Sequence, residues 1–472
     1  METDEYDVVV IGAGPAGENA AQYAVEGTSM TAVLVEGELV GGECSYWACI
    51  PSKALLRPVA VADVTADLPG VSTAHVAGKA LLERRDSWVS HYDDSGQVAW
   101  ATGAGLAVVR GDARLSGERT VHVSSTDGDV VLRARRAVVI ATGSTPHVPD
   151  EYADALPWDS RDATGVVEVP ERLVIVGGGV VACEAATWMA ALGSAVTLVV
   201  RGPRLLSRVE PFAGEAVLAG LRERGVTVLL GTSVEAVRRS DPAATGTGRV
   251  HGGAVTVTTT GGELEADEVL LAIGRSPRLD DVGLSSVDLT ADDVTDGRLP
   301  EWLHAVGDAT GGPPLTHWGK HQARVVGARI AAAAAGEVAW EPDREAPVPQ
   351  VVFTEPEVAS VGLTEAQARD AGHEVVVTRV PTSSAAGTGL LRDQVAGDAQ
   401  LVVDAGSRLL LGATFVGPAA GELLHAATVA ITGGVPVHVL RHAVPSYPTA
   451  SELWLRLLEE LPPSFRTPPP AS

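Results

Sequence analysis

Cysteine is almost absent from this chain of 472 residues: Cys44, Cys49 and Cys183 are the full set. Three cysteines cannot build the multi-bridge framework of a small secreted domain. Lysine is equally scarce, at Lys53, Lys79 and Lys320, so a lysine inside a cysteine motif stands out from background. Basic residues are too few to balance the acidic ones, and the formal net charge of −25 argues against nucleic acid or an anionic membrane surface as partner. Long hydrophobic runs are missing too. Ile330 to Ala335 is apolar but far too short to cross a bilayer, and the acidic start Met1-Glu2-Thr3-Asp4-Glu5 does not resemble a signal peptide. The expectation is a soluble, cytoplasmic protein. At 472 residues, with 45% of them hydrophobic, the chain exceeds one core and is expected to form three or so domains.

What is present is a nucleotide-binding pattern, twice. Asp7 to Ile11 reads as a short apolar strand running into Gly12-Ala13-Gly14-Pro15-Ala16-Gly17. An alanine-rich helix follows, then a strand from Thr31 to Val35, with Glu36 at its end. Strand, Gly-x-Gly-x-x-Gly, helix, strand and an acid about 20 residues on is the full dinucleotide fingerprint. Gly12, Gly14 and Gly17 let the backbone approach a pyrophosphate at a helix N-terminus, where unsatisfied N–H groups and the dipole favour anions. Glu36 would accept hydrogen bonds from a ribose diol. Arg172 to Val176 leads into Gly177-Gly178-Gly179-Val180-Val181-Ala182, a Gly-x-Gly-x-x-Ala version, and a helix and the strand Ala195 to Val200 complete the second unit. Two such units mean two dinucleotides, with hydride passing from one to the other. After the second strand Arg201 stands where an NAD-binder carries an acid, with Arg204 nearby. A 2′-phosphate needs cations there, which favours NADPH and leaves NADH open. Plain surface arginines are the alternative.

Between the two units lies Gly41-Gly42-Glu43-Cys44-Ser45-Tyr46-Trp47-Ala48-Cys49-Ile50-Pro51-Ser52-Lys53. By themselves two cysteines at this spacing leave open a pair of thiols that never bond. The string Cys-(four residues)-Cys-Ile-Pro-Ser-Lys, placed after a complete fingerprint, resembles the redox-active site of the pyridine nucleotide-disulfide oxidoreductases. That family includes dihydrolipoamide dehydrogenase, glutathione reductase and mercuric reductase. The resemblance implies an α/β fold with two Rossmann-like dinucleotide-binding domains, for FAD and NAD(P), and a C-terminal α+β dimerisation domain. It also implies a Cys44–Cys49 disulfide, with Cys49 against the flavin and Cys44 as the interchange thiol. On a regular helix residues i and i+5 stand about 7.5 Å apart along the axis and a disulfide wants Cα atoms within about 7 Å, so a bond here requires a distorted first turn. Gly41 and Gly42 supply backbone freedom before it, and Pro51 limits the helix after it. Lys53 and the helix N-terminus are expected to favour the thiolates. Glu184 matches the family glutamate that pairs with this lysine; Cys183 beside it reads as an inert core thiol.

After the cysteine helix, 60–100 reads as mainly helical, with Trp88, Tyr92 and Trp100 as packing residues, and Val130–Arg133 and Ala137–Ile140 read as two separate strands. The resemblance extends over almost the whole chain, and the runs from Phe353 to Gly362 and from Gly412 to Gly417 match the family's C-terminal interface domain. Ala141-Thr142-Gly143, after a buried strand, matches the family's crossing from the first to the second nucleotide domain. Gly274-Arg275 closes the second nucleotide domain, and Gly307-Asp308, in Leu303-His304-Ala305-Val306-Gly307-Asp308, matches the second flavin motif. Gly42 and these residues join the cofactor-binding set. The implied boundaries are 1–147 and 274–346 for the FAD-binding parts, 148–273 for NAD(P), 347–466 for the interface domain and 467–472 for a disordered tail. No metal site is assigned. The homodimer of the family places each C-terminal segment in its partner's active site.

One departure bears on function. The family carries His-Pro-Thr-x-Ser-Glu near its C-terminus, the glutamate orienting a histidine that shuttles the interchange thiol's proton. Here the segment is Tyr447-Pro448-Thr449-Ala450-Ser451-Glu452. A phenol of unperturbed pKa about 10 is a poor base at neutral pH. A second departure is the bulk of Tyr46 and Trp47 between the cysteines. The acceptor is therefore expected to be a quinone, a metal ion or another small-molecule acceptor rather than a common dithiol substrate. Two alternatives stay open: a dihydrolipoamide dehydrogenase-like or low-molecular-weight disulfide reductase with its base at His317, His321 or His442, and a flavin-bound redox-sensing or interaction protein. Mercury handling through a C-terminal cysteine pair is disfavoured, since no cysteine follows Cys183.

Overall fold

A computed structural model describes residues 2–126, 128–341 and 346–468. The chain divides into two compact units, the first made of Met1–Pro51, Arg85–His147 and Gly274–Asp343, the second of Ser52–Arg84, Val148–Ile273 and Arg344–Ser472.

The first unit is built on β1 (Glu2–Ile11), β2 (Ala32–Glu36), β3 (Ala107–Arg110), β4 (Asp112–Gly117), β5 (Thr120–Ser124) and β6 (Val130–Ile140), in the spatial order β3-β2-β1-β6-β5-β4. β3, β2, β1 and β6 run parallel, while β4 and β5 fold back antiparallel. The central strands are continuous apolar runs rather than alternating ones, as expected of a parallel sheet covered on both faces. Val8, Val10, Leu34 and Val139 face a layer of small residues: Ala20 and Ala24 of helix α1 (Pro15–Val25) and Ala323 of the helix Thr316–Ala335. Val9, Val33, Val138 and Ile140 face Leu115, Leu132 and Trp302 on the other side. Each such buried aliphatic side chain contributes about 1.5–3 kcal/mol. Alanine and glycine bring the two helices close. A Cβ on Gly327 would lie 2.7 Å from the Tyr23 Cβ and 2.9 Å from the Ala20 carbonyl oxygen.

The second unit holds a parallel sheet ordered Thr227–Leu230, Ala195–Val200, Arg172–Val176, Glu268–Leu271, and a three-stranded antiparallel sheet from Val234–Arg239 to Gly262–Ala266. Arg239 and Glu268, both fully buried, pair between these sheets. A five-stranded antiparallel sheet, ordered Gln350–Val352, Val358–Gly362, Leu410–Val416, Asp398–Asp404, Val375–Pro381, carries the helices Ala420–Thr432 and Glu452–Glu459. Cys183 is completely buried among apolar side chains, and burial pushes its thiol pKa up.

Several local expectations are corrected. Val130–Arg133 and Ala137–Ile140 are one strand, because β6 keeps β1 along one edge while β5 and then Leu303–Ala305 share the other. The stretch 60–100 is mainly helical, as expected, but not continuously so: a loop over 67–77 separates Cys49–Ala66 from Gly78–Trp88, and Ser95–Gly103 follows. Trp88 and Trp100 are not packing residues, being 56% and 39% exposed. Pro51 does not curtail its helix, since it sits in the first turn, where a missing N–H costs nothing. Of the expected tail, residues 469–472 lie outside the described residues, and the Thr467 carbonyl accepts a hydrogen bond from Arg408. Among the described residues no helix is long and apolar enough to cross a membrane.

Candidate active site

In the first unit two positions of the turn after β1 have no room for a side chain. A Cβ on Gly12 (φ +100°) would lie 2.4 Å from the Ala141 carbonyl oxygen, and one on Gly17 would lie 2.0 Å from that of Gly12. Gly14 caps α1 without a side-chain hydrogen bond, leaving the N–H groups of the first turn directed at whatever lies beyond it. Glu36 closes β2, its carboxylate accepting the N–H of Ala13 (2.8 Å) and of Glu38 (2.9 Å). Burial raises its pKa against those two bonds. A side-chain-free cradle at an uncapped helix start, beside a carboxylate with remaining lone pairs, fits a dinucleotide's pyrophosphate and ribose. Glu18, also on α1, is buried with Oε1 unpartnered, and burial pushes its pKa up to about 7 while Lys320 pulls it down.

Thr142 and Gly143 follow β6, and the Thr142 hydroxyl donates to the Arg278 carbonyl (2.6 Å). Asp308 accepts from the Ser144 hydroxyl (2.6 Å). Arg275, after Gly274, donates to the Ser144 hydroxyl and carbonyl (2.8 Å each) and to Glu43 (3.2 Å). Ser144, the first residue of β7 (Ser144–Pro146), thus ties two motif residues together. Sequence reasoning passed over it; the only signal was its position directly after Ala-Thr-Gly.

The cysteine segment consists of two helices. Gly41, at φ +107°, caps α2 (Gly42–Tyr46), which holds Cys44. The chain breaks at Trp47 and Ala48, and Cys49 opens α3 (Cys49–Ala66). The segment packs against the Gly12–Gly17 turn: the Gly41 N–H donates to the Ala13 carbonyl (2.8 Å), and a Cβ on Gly42 would lie 2.7 Å from the Gly14 Cα. The Cys49 Sγ lies 3.3 Å from the Thr316 hydroxyl at the start of the helix Thr316–Ala335. That helix also holds Trp318 stacked on His321 (5.4 Å between centroids); burial lowers the pKa of His321. Trp47 stacks on Tyr92, centroids 4.4 Å apart and planes 26° apart. Ser90, His91 and Tyr92 all take positive φ (51°, 53° and 62°), a backbone disfavoured by about 1–2 kcal/mol per residue. Asp94 then accepts the Val40 N–H (2.7 Å) and an Arg110 guanidinium N–H (2.5 Å).

In the second unit Lys53, four residues after Cys49 on α3, pairs with Glu184 at 2.8 Å. The other oxygen of Glu184 accepts the Phe353 N–H (3.0 Å), and the Lys53 ammonium lies 4.9 Å from the Phe353 ring centre. Phe353 was legible only as part of an interface motif, not as a neighbour of this pair. The second nucleotide turn repeats the first: a Cβ on Gly177 would lie 2.3 Å from the Ala272 carbonyl oxygen, Gly179 caps the helix Val180–Ala191 without a side-chain bond, and Ala182 is buried. Arg201 is exposed just beyond the strand Ala195–Val200, and Arg204 donates to the Ser207 carbonyl (2.8 Å). At the C-terminus Tyr447 is 77% exposed. Glu452 is buried and accepts the Gly387 N–H (3.3 Å). His442 is exposed on the loop before it.

The family model of the pyridine nucleotide-disulphide oxidoreductases matches residues 6–323, and that of their dimerisation domain matches 348–457. The chain is 33% identical over 459 residues to the dihydrolipoyl dehydrogenase of Chlorobaculum tepidum, with 95% of each chain covered. It is 30% identical over 465 residues to the mercuric reductase of Staphylococcus aureus, covering 95% of this chain and 81% of that one. Among solved structures, the HOCl-induced flavoprotein disulfide reductase RclA of Escherichia coli superposes with a TM-score of 0.82 at 24% identity over 97% of this chain and 100% of that chain. LpdA of Mycobacterium tuberculosis superposes with 0.83 at 23% over 97% and 99%. With both nucleotide turns, the cysteine segment and the dimerisation domain in one chain, the protein belongs to the pyridine nucleotide-disulphide oxidoreductases, enzymes that use FAD and NAD(P)H.

Proposed function

We propose that this enzyme passes electrons from NADPH through FAD to a Cys44–Cys49 disulfide, and on to an acceptor other than a common dithiol substrate. Bound FAD supplies the two-electron link between nicotinamide hydride and the cysteine sulfurs. Gly12, Gly14 and Gly17 would leave α1's N–H groups open to its pyrophosphate, Glu36 would take its ribose, and Asp308, steadied by Ser144, would take a hydroxyl of its chain. Gly177, Gly179 and Ala182 would do the same for the nicotinamide nucleotide, with Arg201 and Arg204 near its 2′-phosphate. Cys49, beside the Thr316 hydroxyl, is the flavin-side thiol, and Cys44 is the interchange thiol. Lys53, held by Glu184, adds positive charge one turn along the helix that Cys49 opens.

The acceptor assignment rests on one observation. Tyr447 stands 77% exposed where a dithiol-exchanging relative would need a base, and the buried Glu452 is engaged by the Gly387 N–H. In the family's dimer this segment serves the partner's site, so a phenol takes the proton-shuttling position. The test is anaerobic reduction with NADPH, followed by reoxidation with lipoamide, small thiol disulfides, a naphthoquinone or metal ions, in wild type and Cys44→Ser. A quinone or metal ion is expected to outpace every disulfide. Fast reoxidation by a disulfide, lost in Cys44→Ser, would overturn this reading. It would favour a disulfide reductase like the dihydrolipoyl dehydrogenases among the relatives, with His317 or His321 as base. The proximity of their helix to Cys49 supports that second reading.

A further inference from the structure

We propose that Tyr92 is a positioning residue for the cysteine pair: its ring fixes Trp47, and Trp47 fixes the joint that sets how Cys44 meets Cys49. The inference rests on Cys44 and Cys49 being the redox couple.

The joint is short. α2 ends at Tyr46 and α3 begins at Cys49, so the backbone of Trp47 and Ala48 determines the relation between the two thiols. Tyr46 is buried, and the Trp47 N–H closes α2 on the Glu43 carbonyl (2.8 Å). Trp47 then presents its ring to Tyr92 in a stack with centroids 4.4 Å apart. Tyr92 reaches this place only because Ser90, His91 and Tyr92 are all left-handed. Three consecutive L-residues hold that conformation where surrounding contacts over-determine it, and such strain is concentrated at functional sites. The contacts are visible. Asp94, two residues on, ties the segment to the Val40 N–H and to Arg110, and Gln97 lies against Gly41. Residues 90–97 therefore grip α2 at both ends, at Val40–Gly41 and at Trp47. The ring of Tyr92 does the work there. Burial keeps its hydroxyl neutral by raising its pKa.

A fixed joint holds the thiols at a high effective concentration and favours the disulfide. A loosened joint lowers that concentration and favours the dithiol. The equilibrium is readable without turnover: two glutathione thiols reduce the Cys44–Cys49 bond, giving two protein thiols and one glutathione disulfide. Each tenfold change in that equilibrium corresponds to about 30 mV.

The flavin-loaded, full-length protein would be equilibrated anaerobically in glutathione buffers of graded ratio, and the oxidised fraction counted by alkylation and mass. Tyr92→Leu is expected to shift the equilibrium at least fivefold toward the dithiol, while Tyr92→Phe, which keeps the ring, stays within twofold of wild type. Trp47→Leu removes the other half of the stack and must shift it the same way; it stands in if Tyr92→Leu does not fold. An unchanged ratio in the leucine variants, even with a lowered melting temperature, overturns the inference and leaves Tyr92 a structural residue. An equal shift in Tyr92→Phe overturns it as well. A wild type whose Cys44 and Cys49 do not interconvert fails the underlying redox reading, and that result is distinct from wild-type interconversion with unshifted variants.

Discussion

The Lys53 ammonium lies 2.8 Å from one carboxylate oxygen of Glu184, and the other oxygen of Glu184 accepts the amide of Phe353. The glutamate side chain is 4% exposed and the lysine 35%, so the two halves of the pair are not equivalent. Removing the lysine strands a buried carboxylate, whereas removing the glutamate leaves an ammonium that water reaches. Lys53→Met is expected to destabilise by about 1–3 kcal/mol and Glu184→Gln by less, the solvent screening on the lysine side holding both below the fully buried case. Urea unfolding of the two variants measures this, and a larger loss in Glu184→Gln would contradict it.

Glu18 makes stability depend on pH. Its folded pKa, raised to about 7 by burial, lies above the unfolded value of about 4.3. Below about pH 4 both states are protonated and the full stability is present. As pH rises toward 7 the unfolded state ionises first, and stability is lost up to the folded pKa. Wild type should therefore lose about 3 kcal/mol relative to Glu18→Gln between pH 4 and 8. A flat difference across that range would exclude a buried neutral carboxyl.

Thr316→Val removes the hydroxyl beside the Cys49 sulfur. A hydrogen bond to a charged acceptor contributes about 1.5–3 kcal/mol, so the Cys49 pKa should rise by at least about one unit. The pH dependence of Cys49 alkylation in a Cys44→Ser background reads it directly.

Arg201→Ala is expected to raise the KM for NADPH on the order of tenfold with kcat little changed, and to leave NADH within about twofold, because only the 2′-phosphate needs the guanidinium. Equal losses with both nucleotides would assign Arg201 to the loop rather than to the phosphate.

Tyr447→His places an imidazole at the position of the phenol. With general-base catalysis contributing about 10²–10⁴-fold, disulfide turnover should rise on the order of tenfold or more. Unchanged turnover, with flavin content intact, would mean that a missing base does not limit disulfide reduction.

Much of the fold was legible because its elements carry local signals. Gly12, Gly17 and Gly177 stand where a Cβ would strike backbone, so steric need writes them into the sequence. The continuous apolar runs Val8–Ile11 and Leu173–Val176 were legible as strands, because a strand covered on both faces buries every side chain. β6 was misread as two strands because Ala134 to Arg136 interrupts its apolar pattern, and only its shared edges with β5 and Leu303–Ala305 make it continuous.

The site divides in the same way. Motif order and spacing alone determined that Cys44, Cys49 and Lys53 follow a glycine turn, since covalent neighbours carry that information. Only the tertiary structure decided that Ser144 joins Asp308 to Arg275, that Thr316 faces Cys49 and that Tyr92 stacks on Trp47. These partners are separated by 164, 131, 267 and 45 positions. No local propensity links residues so far apart. Their meeting depends on chain folding that brings distant backbone together, and side-chain chemistry acts only after that.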